Sequence, residues 1–252
     1  NAKWRIIDLN QTNIFEHNHI PSASHLEYSD IVQQNPPVLG CLPNENQLAE
    51  QLSEIGLTPD MAVAAYDNDG GAKACRLLWT LDAIGHTGER ALLNGSLAAW
   101  LDIGLASTSE HHSIAATHYN PNLNHNVIAD KQYILDHLDD PHVILLDTRT
   151  VGEFNGTSVR AAKGGHIPGA INIDWLQTLE IKNHYRLLPW ATLKQLYEQQ
   201  GITPDKEIIC YCHSHHRSAH SYFILKSLGY PQVKAYPGSW SEWGNCDDTP
   251  IS

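Results

Sequence analysis

The chain has 252 residues, of which 42% are hydrophobic and 17% are charged, and its formal net charge is −12 at pH 7. This length and composition are typical of a globular protein with two domains of ordinary size. The negative charge argues against a nucleic-acid partner, because phosphate binding needs a basic face and the Lys and Arg residues do not cluster widely. A membrane partner is not expected either, since no apolar run approaches the ~20 residues that cross a bilayer.

The cysteines and the first residues indicate the compartment. The five cysteines lack the spacing of a disulfide framework, which suits a reducing environment. The segment Asn1–Trp4 leads almost directly into an apolar run and has no secretory leader. We therefore expect a cytoplasmic protein, and the absence of Met at position 1 leaves room for residues upstream.

The predicted elements alternate between strands and helices in both halves. Apolar runs predict buried, mostly parallel strands, and helical periodicity lies between them. In the first half the strands are predicted at 5–7, 62–66 and 90–93, with a helix over 72–84. In the second half they are predicted at 143–146, 207–211 and 232–235, with a helix over 219–228. Gly85 and Gly229 follow the two helices and fit C-caps.

A repeat with an offset of 145 residues relates the two halves. Gly56–Asp60 and Gly201–Asp205 share the pattern Gly-x-Thr-Pro-Asp, and the same offset carries Tyr66-Asp67 onto Tyr211-Cys212. A period of domain size indicates tandem domains rather than a solenoid. The predicted class is α/β, with two tandem domains that each have a mostly parallel sheet flanked by helices. We predict an N-terminal domain over 1–110, a linker over 111–126 and a C-terminal catalytic domain over 127–252.

The predicted linker is polar and rich in histidine. It has no sustained apolar period, which is typical of a connecting segment. Its histidines have neither the spacing nor the Cys partner of a zinc site, so we expect no metal there. These histidines are His111, His112, His118 and His125.

The chemistry is predicted where a buried strand of the second half ends at Cys212. A tight turn follows and a helix is predicted to begin near Ser218, so backbone N–H groups and the positive helix end point toward the sulfur. These surroundings stabilise a thiolate and lower its pKa below the free value of about 8.5. Arg217 adds a fixed positive charge, and we predict Cys212 and Arg217 as the catalytic residues. The side chains predicted to bind an anionic substrate are His213, Ser214, His215, His216 and Ser218.

Two other interpretations of Cys212 have less support. A buried structural thiol is the usual fate of an intracellular cysteine, but the first half has Asp67 at the equivalent place, whereas a core position would keep an apolar or small residue. A metal site could use Cys210 and the loop histidines, but no second ligand pair of suitable spacing follows in this half. We therefore predict that Cys210 is a core residue and that Cys212 is a nucleophile.

Residues outside the loop are each open to two interpretations. Asp147 and Arg149 are predicted at the carboxyl end of a strand, where they could line a ligand crevice or tie the loop through an ion pair. Trp175 could form a wall of the pocket or be a buried aromatic residue. His19 and His166, each before Ile-Pro, are expected to hydrogen-bond locally in a repeated turn.

Together with these features, two further motifs make nearly the whole chain resemble the rhodanese sulfurtransferase family. The matching elements are Gly165–Ala170, Asp147-Thr148-Arg149, the Cys212 loop and Gly238–Trp243. The resemblance implies two doubly wound domains, of which only the second is catalytic, and a cysteine that cycles through a persulfide. The segments His215–Ser218 and Ala161–Gly165 are similar to those of tandem bacterial members that use thiosulfate.

The resemblance implies a two-step transfer that needs no metal and no organic cofactor. The Cys212 thiolate would attack the outer sulfur of thiosulfate, a small anionic donor, while loop N–H groups and Arg217 stabilise the charge on the leaving sulfite. A thiophilic acceptor, either cyanide, a small thiol or a protein thiol, would then take the sulfur. The reaction requires a sulfur that is ionised near neutral pH and reachable from solvent.

Three alternatives stay open. Family members that use 3-mercaptopyruvate have an arginine at the position of Glu153, whose charge would repel the donor's carboxylate, although Ser214 matches their loop and His19 and Asp8 match their assisting residues. A phosphatase or arsenate reductase would have a Cys-x5-Arg loop, whereas the spacing from Cys212 to Arg217 is Cys-x4-Arg and makes a smaller cup. A non-enzymatic sulfur carrier is the third alternative.

Overall fold

A computed structural model describes residues 4–252, and the chain divides into two compact units. Unit 1 contains the described residues through Val32, residues 42–124 and residues 180–187. Unit 2 contains residues 33–41, 125–179 and 188–252. The first three residues of the predicted N-terminal domain lie outside the described part. Residues 33–41 belong to unit 2 although the residues on both sides of them belong to unit 1, and residues 180–187 belong to unit 1 although their neighbours belong to unit 2. The predicted domain boundaries therefore stay a prediction.

Strands and helices alternate along the chain. Up to residue 102 they are β1 (Trp4–Asp8), α1 (Thr12–His17), β2 (Ser24–His25), β3 (Gln33–Asn35), β4 (Val38–Cys41), α2 (Glu45–Glu54), β5 (Ala62–Tyr66), α3 (Ala72–Ala83), β6 (Arg90–Leu92) and α4 (Ser96–Asp102). From residue 131 they are α5 (Lys131–Asp136), β7 (Val143–Asp147), α6 (Val151–Phe154), β8 (Ile171–Asn172), β9 (Leu179–Glu180), β10 (Arg186–Leu187), α7 (Trp190–Gln199), β11 (Glu207–Tyr211), α8 (Arg217–Ser227), β12 (Val233–Ala235) and α9 (Ser239–Trp243).

Unit 1 is built on a parallel sheet with the strand order β2-β1-β5-β6. Its strands are short apolar runs such as Ala62–Tyr66, as expected for parallel strands whose faces are covered. Helix α3 is buried along most of its length, with Trp79 and Leu81 fully inaccessible. Gly85 ends this helix with a φ of 73°, in the left-handed region that glycine adopts without strain.

Unit 2 repeats this plan with the strand order β12-β11-β7-β8, again parallel. In the register of β7 and β11, Cys210 pairs with Leu146 and Tyr211 pairs with Asp147. The carboxyl ends of the two central strands therefore meet at one edge of the sheet, where ligands bind in α/β folds. The predicted α/β class with two mostly parallel sheets is confirmed.

The hairpin β3–β4 belongs to unit 2 and packs against α9. The N–H of Leu39 donates to Ser241 Oγ at 3.0 Å. Gly40 is pressed against the backbone of the loop after β11, because a Cβ atom there would lie 2.5 Å from the Ser214 carbonyl oxygen and would also clash with the Pro237 carbonyl oxygen. Only glycine allows this close approach of two backbones.

The segment predicted as the linker packs on unit 1 through residue 124. Tyr119 is buried, its N–H donates to Ser53 Oγ at 2.9 Å, and its hydroxyl lies 3.0 Å from His86 Nδ1. Among residues 4–252, no group of three or more His, Cys, Asp or Glu side chains is arranged to hold a metal ion. Within the same residues, no helix combines the length and apolarity that a membrane crossing requires.

Candidate active site

Cys212 lies directly after β11, and α8 begins at Arg217. The N–H groups of Cys212 and His215 both donate to Ser239 Oγ at 3.2 Å, and this hydroxyl in turn donates to the Tyr236 carbonyl at 2.8 Å. His215 has a φ of 52°, in a region that residues other than glycine seldom occupy. Ser239 therefore ties the loop into a tight curl at the end of the sheet.

Two of the loop carbonyl groups bond to α9. The carbonyl of Cys212 accepts from the Trp240 N–H at 2.9 Å, and that of His213 accepts from the Ser241 N–H at 2.8 Å. The N–H groups of Ser214 and Ser218 face the concave side of the loop and the Cys212 sulfur. The result is a short cup lined by hydrogen-bond donors at the amino end of α8.

The pKa of the Cys212 thiol is lowered by this cup. Burial by itself would raise the pKa, but the charge of Arg217, the hydroxyl and N–H of Ser218 and the N–H of Ser214 together overcome it. The anionic sulfur is thus stabilised by a cation and by hydrogen-bond donors. In contrast, Cys210 is buried inside β11, and burial raises its pKa well above the ordinary range.

The sulfur lies at the floor of the cup, because only 1% of the Cys212 surface is exposed. The residues around it, His213, Ser214, His216 and Arg217, are each partly exposed. Cys212 is therefore less exposed to solvent than the reaction was expected to require. A reactant has to pass these side chains to reach the sulfur.

Glu153, which the sequence suggested only as a source of repulsion, is the partner of Arg217. The guanidinium donates to both carboxylate oxygens, at 2.7 and 2.9 Å. Burial would raise the pKa of Glu153, but the hydrogen bonds and charge of Arg217 and the contacts with Thr150 lower it to about 2. The Thr150 and Glu153 side chains form a capping box at the start of α6, so a Thr-x-x-Glu pattern in the sequence could have located the carboxylate.

Asp147 and Arg149 form a buried ion pair. Arg149 donates to both oxygens of Asp147, with Nη2 at 2.5 Å from Oδ2, and also to the Gly165 carbonyl at 2.8 Å. Its guanidinium lies 4.4 Å from the centre of the Trp240 ring. Because the Arg149 side chain is only 2% exposed, the geometry favours the interpretation as a tie that holds the loop over an interpretation as ligand contacts.

The loop histidines have different surroundings. His213 is half-buried, and its pKa is lowered by burial and then by the charge of Arg217. His215 is fully buried, and its Nδ1 lies 2.8 Å from Ser218 Oγ. His216 is half-buried just before α8. His213 and His216 therefore border the opening of the cup, whereas His215 supports the loop from within.

Trp175 is half-buried, whereas a core aromatic would be fully buried. Its backbone N–H donates to the Thr148 carbonyl at 3.2 Å, and its ring contacts His220 edge to face with 5.4 Å between the ring centres. His220 is fully buried, and burial followed by the charge of His216 lowers its pKa to about 3. Trp175 thus lies beside α8, in a place that is compatible with a pocket wall.

The two histidines before Ile-Pro have the local roles expected of them. His19 Nδ1 lies 2.7 Å from the Phe15 carbonyl, and His166 Nδ1 lies 2.9 Å from the Phe154 carbonyl. The His19 ring stacks on Phe15 with 3.9 Å between the ring centres, and the His166 ring stacks on Phe154 with 3.6 Å between the ring centres. The repeated hydrogen bond and stacking are those of one structural element present in each unit.

Unit 1 shows what the equivalent loop holds when cysteine is absent. Oδ1 of Asp67 accepts from the N–H groups of Asp69 at 2.7 Å and Gly71 at 2.9 Å, and Oδ2 accepts from the N–H of Ala74 at 2.7 Å. The carboxylate is buried and fills the donor-lined loop of its own unit. The same backbone design therefore encloses an acidic side chain in both units, a carboxyl group in one and a thiol in the other.

Comparison with known proteins agrees with this geometry. The model of the rhodanese-like domain matches twice, over residues 1–103 and 130–246. The chain belongs to the rhodanese family. The resemblance deduced from the sequence motifs is thereby confirmed, together with the tandem arrangement of two such domains.

Several relatives of this rhodanese chain carry functional names. The thiosulfate sulfurtransferases of Pseudomonas aeruginosa and Azotobacter vinelandii are each 37% identical over 98% of the chain and 90% of the relative. The sulfur carrier protein TtuD of Thermus thermophilus is 31% identical over 99% of the chain and 91% of that protein. The wild-type structure of EanB has a TM-score of 0.86 at 20% identity, and the chain spans 64% of its length. This last likeness concerns the fold.

Proposed function

We propose that this protein is a thiosulfate sulfurtransferase in which Cys212 carries the transferred sulfur. The observation that carries the proposal is the lowered pKa of a cysteine placed in a cup of N–H donors beside Arg217. A thiolate is the nucleophilic form of cysteine, and the same donors bind an anionic reactant. The thiosulfate sulfurtransferases that are 37% identical to the chain support the choice of donor.

The reaction has two balanced steps. The Cys212 thiolate attacks the outer sulfur of thiosulfate, the S–S bond of the donor breaks, and its electron pair leaves with sulfite. The products are a Cys212 persulfide and sulfite, and the total charge is unchanged. In the second step cyanide or a thiolate attacks the outer persulfide sulfur, which regenerates the Cys212 thiolate and gives thiocyanate or a new persulfide. Neither step gains or loses electrons overall, so no redox cofactor is needed.

The cup supports both steps by electrostatics and position. Arg217, the Ser218 hydroxyl and the N–H groups of Ser214 and Ser218 lower the pKa of Cys212. The same groups stabilise the persulfide anion that follows, because its charge lies on a sulfur in nearly the same place. The half-buried His213 and His216 would contact the donor at the opening. The buried His215 would act by holding Ser218.

Two alternative functions of the same site differ from the proposed one in the sulfur donor or in the sulfur acceptor. A probable 3-mercaptopyruvate sulfurtransferase of Pseudomonas aeruginosa is 33% identical over 91% of the chain. Glu153 argues against that donor, since its carboxylate already occupies Arg217 and would repel a second carboxylate. The relative TtuD, a sulfur carrier, supports a protein thiol as the sulfur acceptor. A cytoplasmic location is proposed from the cysteine usage alone.

The test is intact-mass measurement after incubation with thiosulfate. The wild-type protein should gain one sulfur, about 32 Da, and lose it on addition of cyanide with formation of thiocyanate. Cys212→Ser should show neither the adduct nor turnover, whereas the matched variant Cys246→Ser should behave like the wild type. An adduct that persists in Cys212→Ser refutes the assignment. Faster turnover with 3-mercaptopyruvate than with thiosulfate would reverse the order of the two donors.

A further inference from the structure

Arg149 and Arg217, two cations of the site around Cys212, are each paired with a carboxylate, although the proposed sulfur donor is an anion. The chain has a formal charge of −12, and Arg149 is held in a buried pair with Asp147. Arg217 gives two hydrogen bonds to Glu153, so this pair also has no net formal charge. A further positive group at the opening would therefore favour the approach of a dianion to the N–H donors of the cup.

Arg160 supplies such a group next to the same carboxylate. Its Nε lies 3.8 Å from Glu153 Oε1, and its side chain is 62% exposed whereas that of Glu153 is 4% exposed. A contact of this length with an exposed arginine is weak. Glu153 thus binds Arg217 tightly on one side and Arg160 loosely on the other, so Arg160 can exchange the carboxylate for another anion.

The backbone on both sides of Arg160 is anchored. The Ser158 N–H donates to the Gly152 carbonyl at 2.9 Å, and the Ala162 N–H donates to Asn245 Oδ1 at 2.8 Å. The short stretch between these bonds is therefore held while the Arg160 side chain projects toward solvent. This combination limits the entropy that is lost when the guanidinium orders around a ligand.

The charge of Arg160 extends to the opening of the cup. The pKa of His213 is lowered by burial first and by Arg217 next, and Arg160 contributes in the same direction. His213 is the residue that follows the nucleophile. Arg160 also contacts the carboxylate that binds Arg217, so it lies close enough to act on an anion that enters beside His213.

We propose that Arg160 is a specificity-determining residue, which receives the anionic end of the sulfur donor at the opening of the Cys212 cup. The proposal rests on the proposed function and extends it to the class of donor, a small dianion with a sulfonate end. A guanidinium can give two parallel hydrogen bonds to two oxygens of a sulfonate. The negative charge of Glu153 limits the net positive charge at the opening, and its contact with Arg160 holds Arg160 near the opening.

The first test compares Arg160→Gln with the control Lys226→Gln. Lys226 is an exposed residue at the end of α8, so its substitution removes the same charge far from the opening. The Arg160→Gln variant should raise KM for thiosulfate and lower kcat/KM about fivefold at low salt, as expected for a dianion and one cation about 8 Å apart in water. The loss should shrink at about 0.5 M salt. The control should match the wild type at both salt concentrations.

A second readout is independent of turnover. Cys212 is alkylated with iodoacetate, an anion, and with iodoacetamide, a neutral reagent of similar size, and the ratio of the two rates is measured. Arg160→Gln should lower this ratio about twofold, whereas Lys226→Gln should leave it unchanged. An unchanged ratio in Arg160→Gln overturns the proposal, whatever the turnover. If no form of the protein turns over thiosulfate but the ratio falls, the proposed function fails while the role of Arg160 stands.

Discussion

Replacing Glu153 with Gln tests how much the carboxylate under Arg217 contributes to the stability of unit 2. The side chain is 4% exposed, and it accepts from Arg217 at 2.7 and 2.9 Å and from the Thr150 hydroxyl at 3.0 Å. Gln has the same length but no charge. The substitution therefore leaves the guanidinium without its counter-ion, in a place where an unpaired charge is costly.

The magnitude follows from the pKa of Glu153. Burial opposes ionisation, but Arg217 and Thr150 more than compensate and lower the pKa from 4.5 to about 2. This difference corresponds to roughly 3 kcal/mol of unfolding free energy. Since the folded pKa is depressed, the contribution is complete above about pH 4.5 and is lost as the pH falls toward about 2. Protonated Glu153 then resembles Gln.

The assay is hydrogen exchange of peptides from β7 and β11 at increasing urea, which reports on unit 2 alone. At pH 7, Glu153→Gln should be less stable than the wild type by up to about 3 kcal/mol, and the difference should shrink steadily below pH 4.5. The control is Glu198→Gln, because Glu198 is 40% exposed and lies 3.8 Å from Lys194. This control should change stability by less than about 0.5 kcal/mol at every pH. A Glu153→Gln difference that does not vary between pH 7 and pH 3 would refute the reasoning.

Two further substitutions probe the backbone design of each unit. Gly40→Ala puts a Cβ atom 2.5 Å from the Ser214 carbonyl oxygen, so the cup must shift, and we expect at least about a tenfold loss of kcat/KM for thiosulfate; unchanged kinetics would show that β4 does not shape the cup. Asp67→Ala leaves the N–H groups of Asp69, Gly71 and Ala74 without their acceptor. Exchange of unit 1 peptides should report a loss of about 2 kcal/mol or more, while turnover at Cys212 in the intact protein persists. A fully stable variant would contradict the role assigned to this carboxylate.

Much of the fold could be predicted because the information is local. The apolar run 207–211 and the periodic segment 219–228 predicted elements that the structure places at Glu207–Tyr211 and Arg217–Ser227. A strand and a helix each express their burial pattern within a few residues of the chain. Short elements such as α6 and β8 were not predicted, since two to four residues do not establish a period.

The position of Cys212 between a buried strand and a helix, its repeat partner Asp67 and its cationic neighbour Arg217 are all present in the amino-acid sequence itself. The sequence therefore determined the family and the tandem plan, and it predicts the chemical centre. The tertiary structure alone decided that Glu153 clamps Arg217 and that Gly40 backs Ser214. Parallel pairing brings the ends of strands together from distant parts of the chain, and burial then selects which charged groups must be paired.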